Sequence, residues 1–329
     1  MKKTLIALAV LGSVAGVAQA QSAVTVYGKV DLGITKLSGD VSDAAKPTTM
    51  QGNHGSRIGF KGAEDLGGGL SAIFQVENRF DADTGAQHGV LFNGPVFVGL
   101  TGGFGAVKLG RNWSTVDSAS SSAIDPFEGD GISGLNEFTR ARINNSITYY
   151  SPAMSGFEVQ AQYILGEKPA AAVASGTDND GYAVAATYNN GPIYLGASYG
   201  VEDNLNKKNI WAVTGSYAFG PAKVLLGYDQ VDTKVPGAAK IKNFVIGATY
   251  AAGSGLIKAA YGQTKDGFDN FAISGFSGNS YEKIQKFSIG YQHNLSKRTS
   301  LYADVAHTKV TNPGSDTENG VGVGITHSF

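Results

Sequence analysis

Five basic residues, Arg57, Lys61, Arg79, Arg111 and Arg142, and three acidic ones, Asp125, Glu128 and Asp130, are this chain's best candidates for acting on another molecule. Their chemistry is fixed charge. Opposed groups of cations and anions set a field across a gap and sort the ions that cross it. Bond-making chemistry finds no such set. With no cysteine there is no disulfide, thiolate metal site or cysteine nucleophile. The histidines, His54, His88, His293, His307 and His327, form no His-x-x-x-His pair, so zinc is not expected. There is no Gly-x-Ser-x-Gly elbow and no Walker-type loop. Asp178-Asn179-Asp180-Gly181 opens like a calcium loop but lacks the later Glu, and reads as a solvated loop tip. No cofactor and no metal is expected. A net charge of −1 gives no support to a nucleic-acid partner.

The elements that position these charges are strands. In segment 53–65, Ile58 and Phe60 fall on one face and Arg57 and Lys61 on the other, because strand side chains alternate with period two. The next segment sets Ser71, Gln75, Glu77 and Arg79 against Leu70, Ala72, Phe74 and Val76. Lys29 and Asp31 likewise oppose Val26, Val30 and Leu32. At the other end, Val321, Val323, Ile325, His327 and Phe329 share a face, and Gly322, Gly324, Thr326 and Ser328 share its reverse. A strand of this kind can set one face against lipid and the other against water. A charge facing lipid at mid-membrane costs about 2–4 kcal/mol, so the charged faces should look into a lumen.

Sixteen alternating segments run the length of the chain: 23–36, 53–65, 69–80, 89–101, 104–112, 142–151, 156–166, 180–189, 192–202, 208–219, 222–232, 241–251, 255–265, 281–293, 299–309 and 318–329. The connections alternate between short and long. Short ones carry turn residues, such as Gly67-Gly68-Gly69, Ser151-Pro152, Gly220-Pro221 and Gly253-Ser254-Gly255. Long ones are polar: 37–52, 81–88, 113–141, 167–179, 203–207, 233–240, 266–280 and 310–317. An even number of up-and-down strands lets the first pair with the last, which removes the exposed edge that lipid does not tolerate. Both chain ends then fall on the short-turn side. The expectation is an all-β chain, a transmembrane antiparallel 16-stranded β-barrel. A soluble β-sandwich would not need the short/long alternation.

Composition agrees. Charged residues are 16%, against about 25% in an average soluble domain. Glycine is abundant at 46 residues, and mean hydropathy is −0.08. Residues 1–20 read as a cleaved export signal, with Lys2 and Lys3, an apolar stretch from Leu5 to Val17, and an Ala18-Gln19-Ala20 cleavage site. Residues 21–329 then form a single barrel domain. No later apolar run is long enough for a membrane helix. Sixteen strands leave a hollow interior, so something must limit its bore. The longest connection, about 113–141, is the candidate for an inward-folded third loop, with Asp125, Glu128 and Asp130 near its tip.

Particular motifs resemble the general porins of Gram-negative bacteria, their β-proteobacterial branch best. They are Ser56-Arg57-Ile58-Gly59-Phe60-Lys61-Gly62 with Glu64-Asp65-Leu66-Gly67-Gly68-Gly69-Leu70, Phe104 to Asn112, Arg142 to Pro152, His293 to Tyr302, and the terminal Phe329. The resemblance covers nearly the whole chain after the signal. It implies a homotrimer of sixteen-stranded barrels in the outer membrane, each narrowed by its third loop. Arg57, Arg111 and Arg142 match the family's basic cluster, and the Asp125–Asp130 stretch matches its acidic loop. One departure bears on selectivity: the fourth strand, Leu91 to Leu100, lacks the arginine that branch members often carry.

The function expected is a water-filled channel for passive passage of ions and small hydrophilic solutes, weakly charge-selective and non-catalytic. The partners expected are further copies of the chain, outer-membrane lipid and lipopolysaccharide, and the solutes themselves. The alternative is a substrate-specific outer-membrane channel, which would want an aromatic slide along its lumen.

Overall fold

A computed structural model of the chain describes residues 23–40, 48–87, 89–119, 124–127, 131–135, 142–166, 180–201, 208–234, 236–267, 281–311 and 315–329. The expected signal and the loop acids Glu128 and Asp130 lie outside the described residues.

Period-two patterning becomes one antiparallel sheet. Its strands are β1 (Ala23–Gly39), β2 (Thr49–Gln51), β3 (Ser56–Gly67), β4 (Leu70–Phe80), β5 (Val96–Gly102), β6 (Gly105–Trp113), β7 (Arg142–Tyr150), β8 (Phe157–Ile164) and β9 (Gly181–Asn190). They continue as β10 (Ile193–Val201), β11 (Asn209–Phe219), β12 (Ala222–Asp232), β13 (Ile241–Ala252), β14 (Gly255–Gly267), β15 (Tyr281–Asn294), β16 (Thr299–Thr311) and β17 (Ser315–Ser328). A short helix, α1 (Thr115–Ala119), follows β6. From β3 onward each strand pairs with its neighbour in sequence, and β17 closes on β1 from Lys29↔Ser328 to Gly39↔Glu318. Strands β2 and β3 are two pieces of one stave, because both pair with β1, at Gly33–Thr35 and at Ala23–Lys29. The barrel is therefore closed and has sixteen staves, as the alternation predicts. Closure gives every stave two partners, as a lipid-embedded barrel would require.

Two departures from the sequence reading have physical causes. Residues 52–56 of the second stave stand opposite only Val30–Leu32, so the ladder breaks there. The fully buried Asp31 fills the break. Its Oδ1 accepts the backbone N–H groups of Asn53 at 2.5 Å and His54 at 3.3 Å, and the Tyr302 hydroxyl at 3.1 Å. Ser56 Oγ accepts the N–H of Asp31 at 3.0 Å and donates to its carbonyl at 3.2 Å. A buried carboxyl group is made tolerable by hydrogen bonds of this kind. The second departure is segment 89–101, which becomes a strand only from Val96. Pro95 cannot donate to a ladder. The chain before it instead follows the edge of β4, where Glu77 N–H donates to the Pro95 carbonyl at 3.0 Å and Arg79 N–H to Asn93 Oδ1 at 2.8 Å.

The faces divide as alternation requires. Val26, Phe60, Val213, Ile246 and Phe287 are exposed on the outer surface, while Ser198, Thr214, Asp229 and Asn243 are buried on the inner one. No helix among the described residues is long and apolar enough to cross a membrane.

Candidate pore constriction

The described parts of the connection between β6 and β7 lie on the inner wall, and they cover only part of it. Helix α1 packs on β8 to β11, with Val116 buried among Ala183, Ile210, Ala212, Val231 and Ile241. The carbonyl of Ala119 accepts the hydroxyls of Tyr194 at 2.8 Å and Thr214 at 3.1 Å. Ile124, Phe127 and Leu135 then pack on Leu225, Val245 and Ala260 of β12 to β14. Farther round, Ile132 sits over Gly320 and Gly322 of β17, and its N–H donates to Asn53 Oδ1 at 3.3 Å. Lys286 Nζ donates to the Gly134 carbonyl at 2.6 Å, and Lys258 Nζ lies 5.5 Å from the Phe127 ring centroid. Where the loop presses hardest the wall is glycine. A Cβ on Gly247 would crowd Pro126 at 3.2 Å, and one on Gly290 would meet Phe127 at 2.9 Å.

Asp125 has backbone partners within its own loop. Its carboxylate is turned into the loop, where Oδ1 accepts Phe127 N–H at 2.8 Å and Oδ2 accepts Leu135 N–H at 3.2 Å. It holds the loop's shape. Glu128 and Asp130 fall outside the described residues, but their flanks are fixed: Phe127 is buried on the inner wall and Gly131 lies against Asn53.

The wall of β3, β4, β6 and β7 carries the cations. Arg57 and Arg79 are direct cross-strand partners. Between them sits Glu77, 5% exposed, with Oε1 3.2 Å from Arg79 Nε and Oε2 4.0 Å from Arg57 Nε. The Tyr27 hydroxyl donates to Glu77 Oε2 at 3.0 Å and accepts Gln75 Nε2 at 2.7 Å. Lys61 Nζ lies over the Tyr27 ring, 5.1 Å from its centroid. Trp113 is flanked by Arg142 at 4.4 Å and Arg79 at 5.7 Å, which brings Arg142 to the same group. Toward the short-turn end, Lys108 Nζ lies 4.7 Å from the Phe97 centroid and 4.5 Å from that of Tyr150.

Arg57, Lys61, Arg79 and Arg142 are thus brought together, and Arg111 is not. Arg111 pairs with Val96, on the face that carries Val98 and Leu109. The β6–β7 register shifts between Gly110 and Asn112, where β7 carries the extra residue and Asn145 stands at φ 53°. The Arg111 guanidinium donates to the carbonyls of Asn93 at 3.1 Å and Arg142 at 3.3 Å. Spacing alone gives this position, because Arg111 stands two residues from the apolar Leu109. Glu77, Tyr27 and Trp113 were missed as site residues. Glu77 was legible as the one carboxylate sharing Arg79's face two residues away.

A model of the Gram-negative porin family matches residues 7–313. The chain belongs to that family. This porin is 33% identical over 368 residues to outer membrane porin protein 32 of Delftia acidovorans, spanning 100% of both chains. It is 27% identical over 371 residues to a monosaccharide porin of a Halomonas species, again over 100% of both. Its fold is similar to that of the anion-selective porin from Comamonas acidovorans, with a TM-score of 0.78 and 28% identity over 94% of this chain and 100% of that one. The porin is an outer-membrane β-barrel of a Gram-negative cell, in a family whose members are channels.

Proposed function

We propose that the porin holds an open, water-filled channel for passive diffusion, narrowest between the third loop and the uncovered wall. Arg57, Lys61, Arg79 and Arg142 line the basic side, and Glu128 and Asp130 supply the opposing sign. Arg111 and Asp125 act as structural props. The observation that carries this reading is the grouping of four cations on a stretch of lumenal wall that the described loop residues do not cover, with Glu77 as the carboxylate between Arg57 and Arg79. A Debye length of about 8 Å at physiological salt leaves such charges only partly screened across a narrow gap. The result is weak anion preference. Family resemblance supports a homotrimer, and residues 1–20 serve as its cleaved export signal.

Planar-bilayer recording tests the channel. Large, stable conductance steps that scale with salt are expected. Current blocked by a single sugar at low concentration would replace this reading with a substrate-specific channel, the reading that the name of the Halomonas relative favours.

A further inference from the structure

The outer surface carries a second, unrelated concentration of charge. Lys242 of β13 pairs directly with Lys265 of β14, and Lys265 pairs directly with Lys283 of β15. Three lysines therefore stand abreast on three adjacent strands, at their long-loop ends. They share the outward face with Phe244, Ile246, Phe287 and Ile289, all exposed. Lys309 of β16 joins them one row lower, opposite Gln285.

This placement costs energy. Like charges directly opposed across strands destabilise a sheet, and neighbouring strands are only about 4.8 Å apart. No described residue neutralises them. Among the described residues, the outward positions of β13 to β17 hold no Asp or Glu. Asp266 and Glu282 take the alternate positions, and Asp232 of β12 is engaged by Lys234 at 2.8 Å and Lys240 at 3.4 Å. None of Lys242, Lys265, Lys283 and Lys309 makes an ion pair with a described residue.

Beneath the lysines the surface changes by rows. Gln263 and Gln285 are cross-strand partners and share the Tyr261 hydroxyl, which accepts from Gln285 Nε2 at 2.6 Å and donates to Gln263 Oε1 at 3.4 Å. Below them, Ile246, Ile257, Phe287, Ile289 and Val305 form an exposed apolar strip. Cations, then neutral hydrogen-bonding groups, then hydrocarbon is the complement of one kind of molecule: a lipid with several phosphates, a hydroxylated headgroup and acyl chains.

We propose that the outer face of β13 to β16 is a docking site for a phosphorylated glycolipid of the outer leaflet, with phosphates on Lys242, Lys265, Lys283 and Lys309. The long-loop end of an outer-membrane barrel faces the outer leaflet, so the lipid meets the site in the required orientation. Occupancy turns a repulsive row into an attractive one. This face is then a lipid face, and self-association uses another.

The test compares delipidated wild type with K242Q/K265Q/K283Q in detergent, using native mass spectrometry with lipid A in bisphosphorylated and dephosphorylated forms. K297Q, in a periplasmic turn, is the charge control, and unchanged conductance verifies the fold. At about a factor of five per lysine, affinity of the triple variant for the bisphosphorylated lipid should fall about 100-fold. K297Q should bind as wild type does, and dephosphorylated lipid should bind all forms equally weakly. Thermal stability should change sign with lipid: without it the triple variant equals or exceeds wild type, and with it wild type is the more stable. Equal binding of bisphosphorylated lipid by wild type and the triple variant would overturn the proposal. So would tight binding of dephosphorylated lipid to wild type, or displacement of bound lipid by millimolar inorganic phosphate.

Discussion

The lumenal wall has two regions that use the same residue types for opposite ends. Along β8 to β17 the wall is covered by the loop, and its charges are buried. Lys286 holds a loop carbonyl, Lys258 lies over Phe127, and Asp304 accepts Asn53 Nδ2 at 3.0 Å. Along β3 to β7 none of the described loop residues covers the wall, and among the described residues its cations meet the Glu77 carboxylate and the rings of Tyr27 and Trp113. What separates them is contact with the loop. Under it a charge is committed to hydrogen bonds inside the protein, and its loss costs stability. On the bare wall a charge still reaches the water where solutes pass, and its loss should cost selectivity instead.

The sharpest way to break this comparison is to undock the loop. Phe127 is 1% exposed and packs with Ile124 and Leu135 on the inner wall. Phe127→Ala should cost about 3–5 kcal/mol, as for other buried aromatics. The strand ladder does not include Phe127, so the cost should fall on loop docking. Faster hydrogen exchange at residues 124–135 and a noisier, larger single-channel current are the expected readings. Exchange confined to wild-type rates would show that the loop is held elsewhere.

Asn53→Ala is the next test. Asn53 ties the broken stave to both Asp304 and the N–H of Ile132. Leaving those buried partners unsatisfied should cost about 1–3 kcal/mol. Thermal unfolding should register it, with little change in ion preference.

On the bare wall the expected stability effects shrink and the electrical ones appear. Arg57 sits at 4.0 Å from Glu77 with a side chain 26% exposed. Arg57→Ser should cost less than about 1 kcal/mol, as exposed ion pairs do. Glu77→Gln should leave Arg57 and Arg79 uncompensated and raise anion preference, read as a shift of the zero-current potential toward anions.

Much of this division was legible in the sequence. Alternation placed Arg57, Lys61, Glu77 and Arg79 inward, because one face of each strand had to be apolar. Loop length and strand count together placed 113–141 inside a hollow barrel. The rest depended on tertiary hydrogen bonds. The broken second stave is decided by the Asp31 carboxylate, which competes with the ladder for backbone N–H groups. Asp125 looked like a charge for passing ions because its backbone partners, Phe127 and Leu135, become neighbours only when the loop folds. Arg111 leaves the basic group by alternation itself, because it stands two residues from Leu109 on the outward face, and its place beside the long loop made it look like a pore residue.

The central claim is that the bare wall sets ion preference and the covered wall does not. The most direct measurement is the zero-current potential across a planar bilayer in a salt gradient, for wild type, R57S/R142S and K286M. R57S/R142S should move the potential toward cations, while K286M, which removes a buried cation under the loop, should leave it at the wild-type value. Equal shifts in both variants, or none in R57S/R142S, would contradict the account.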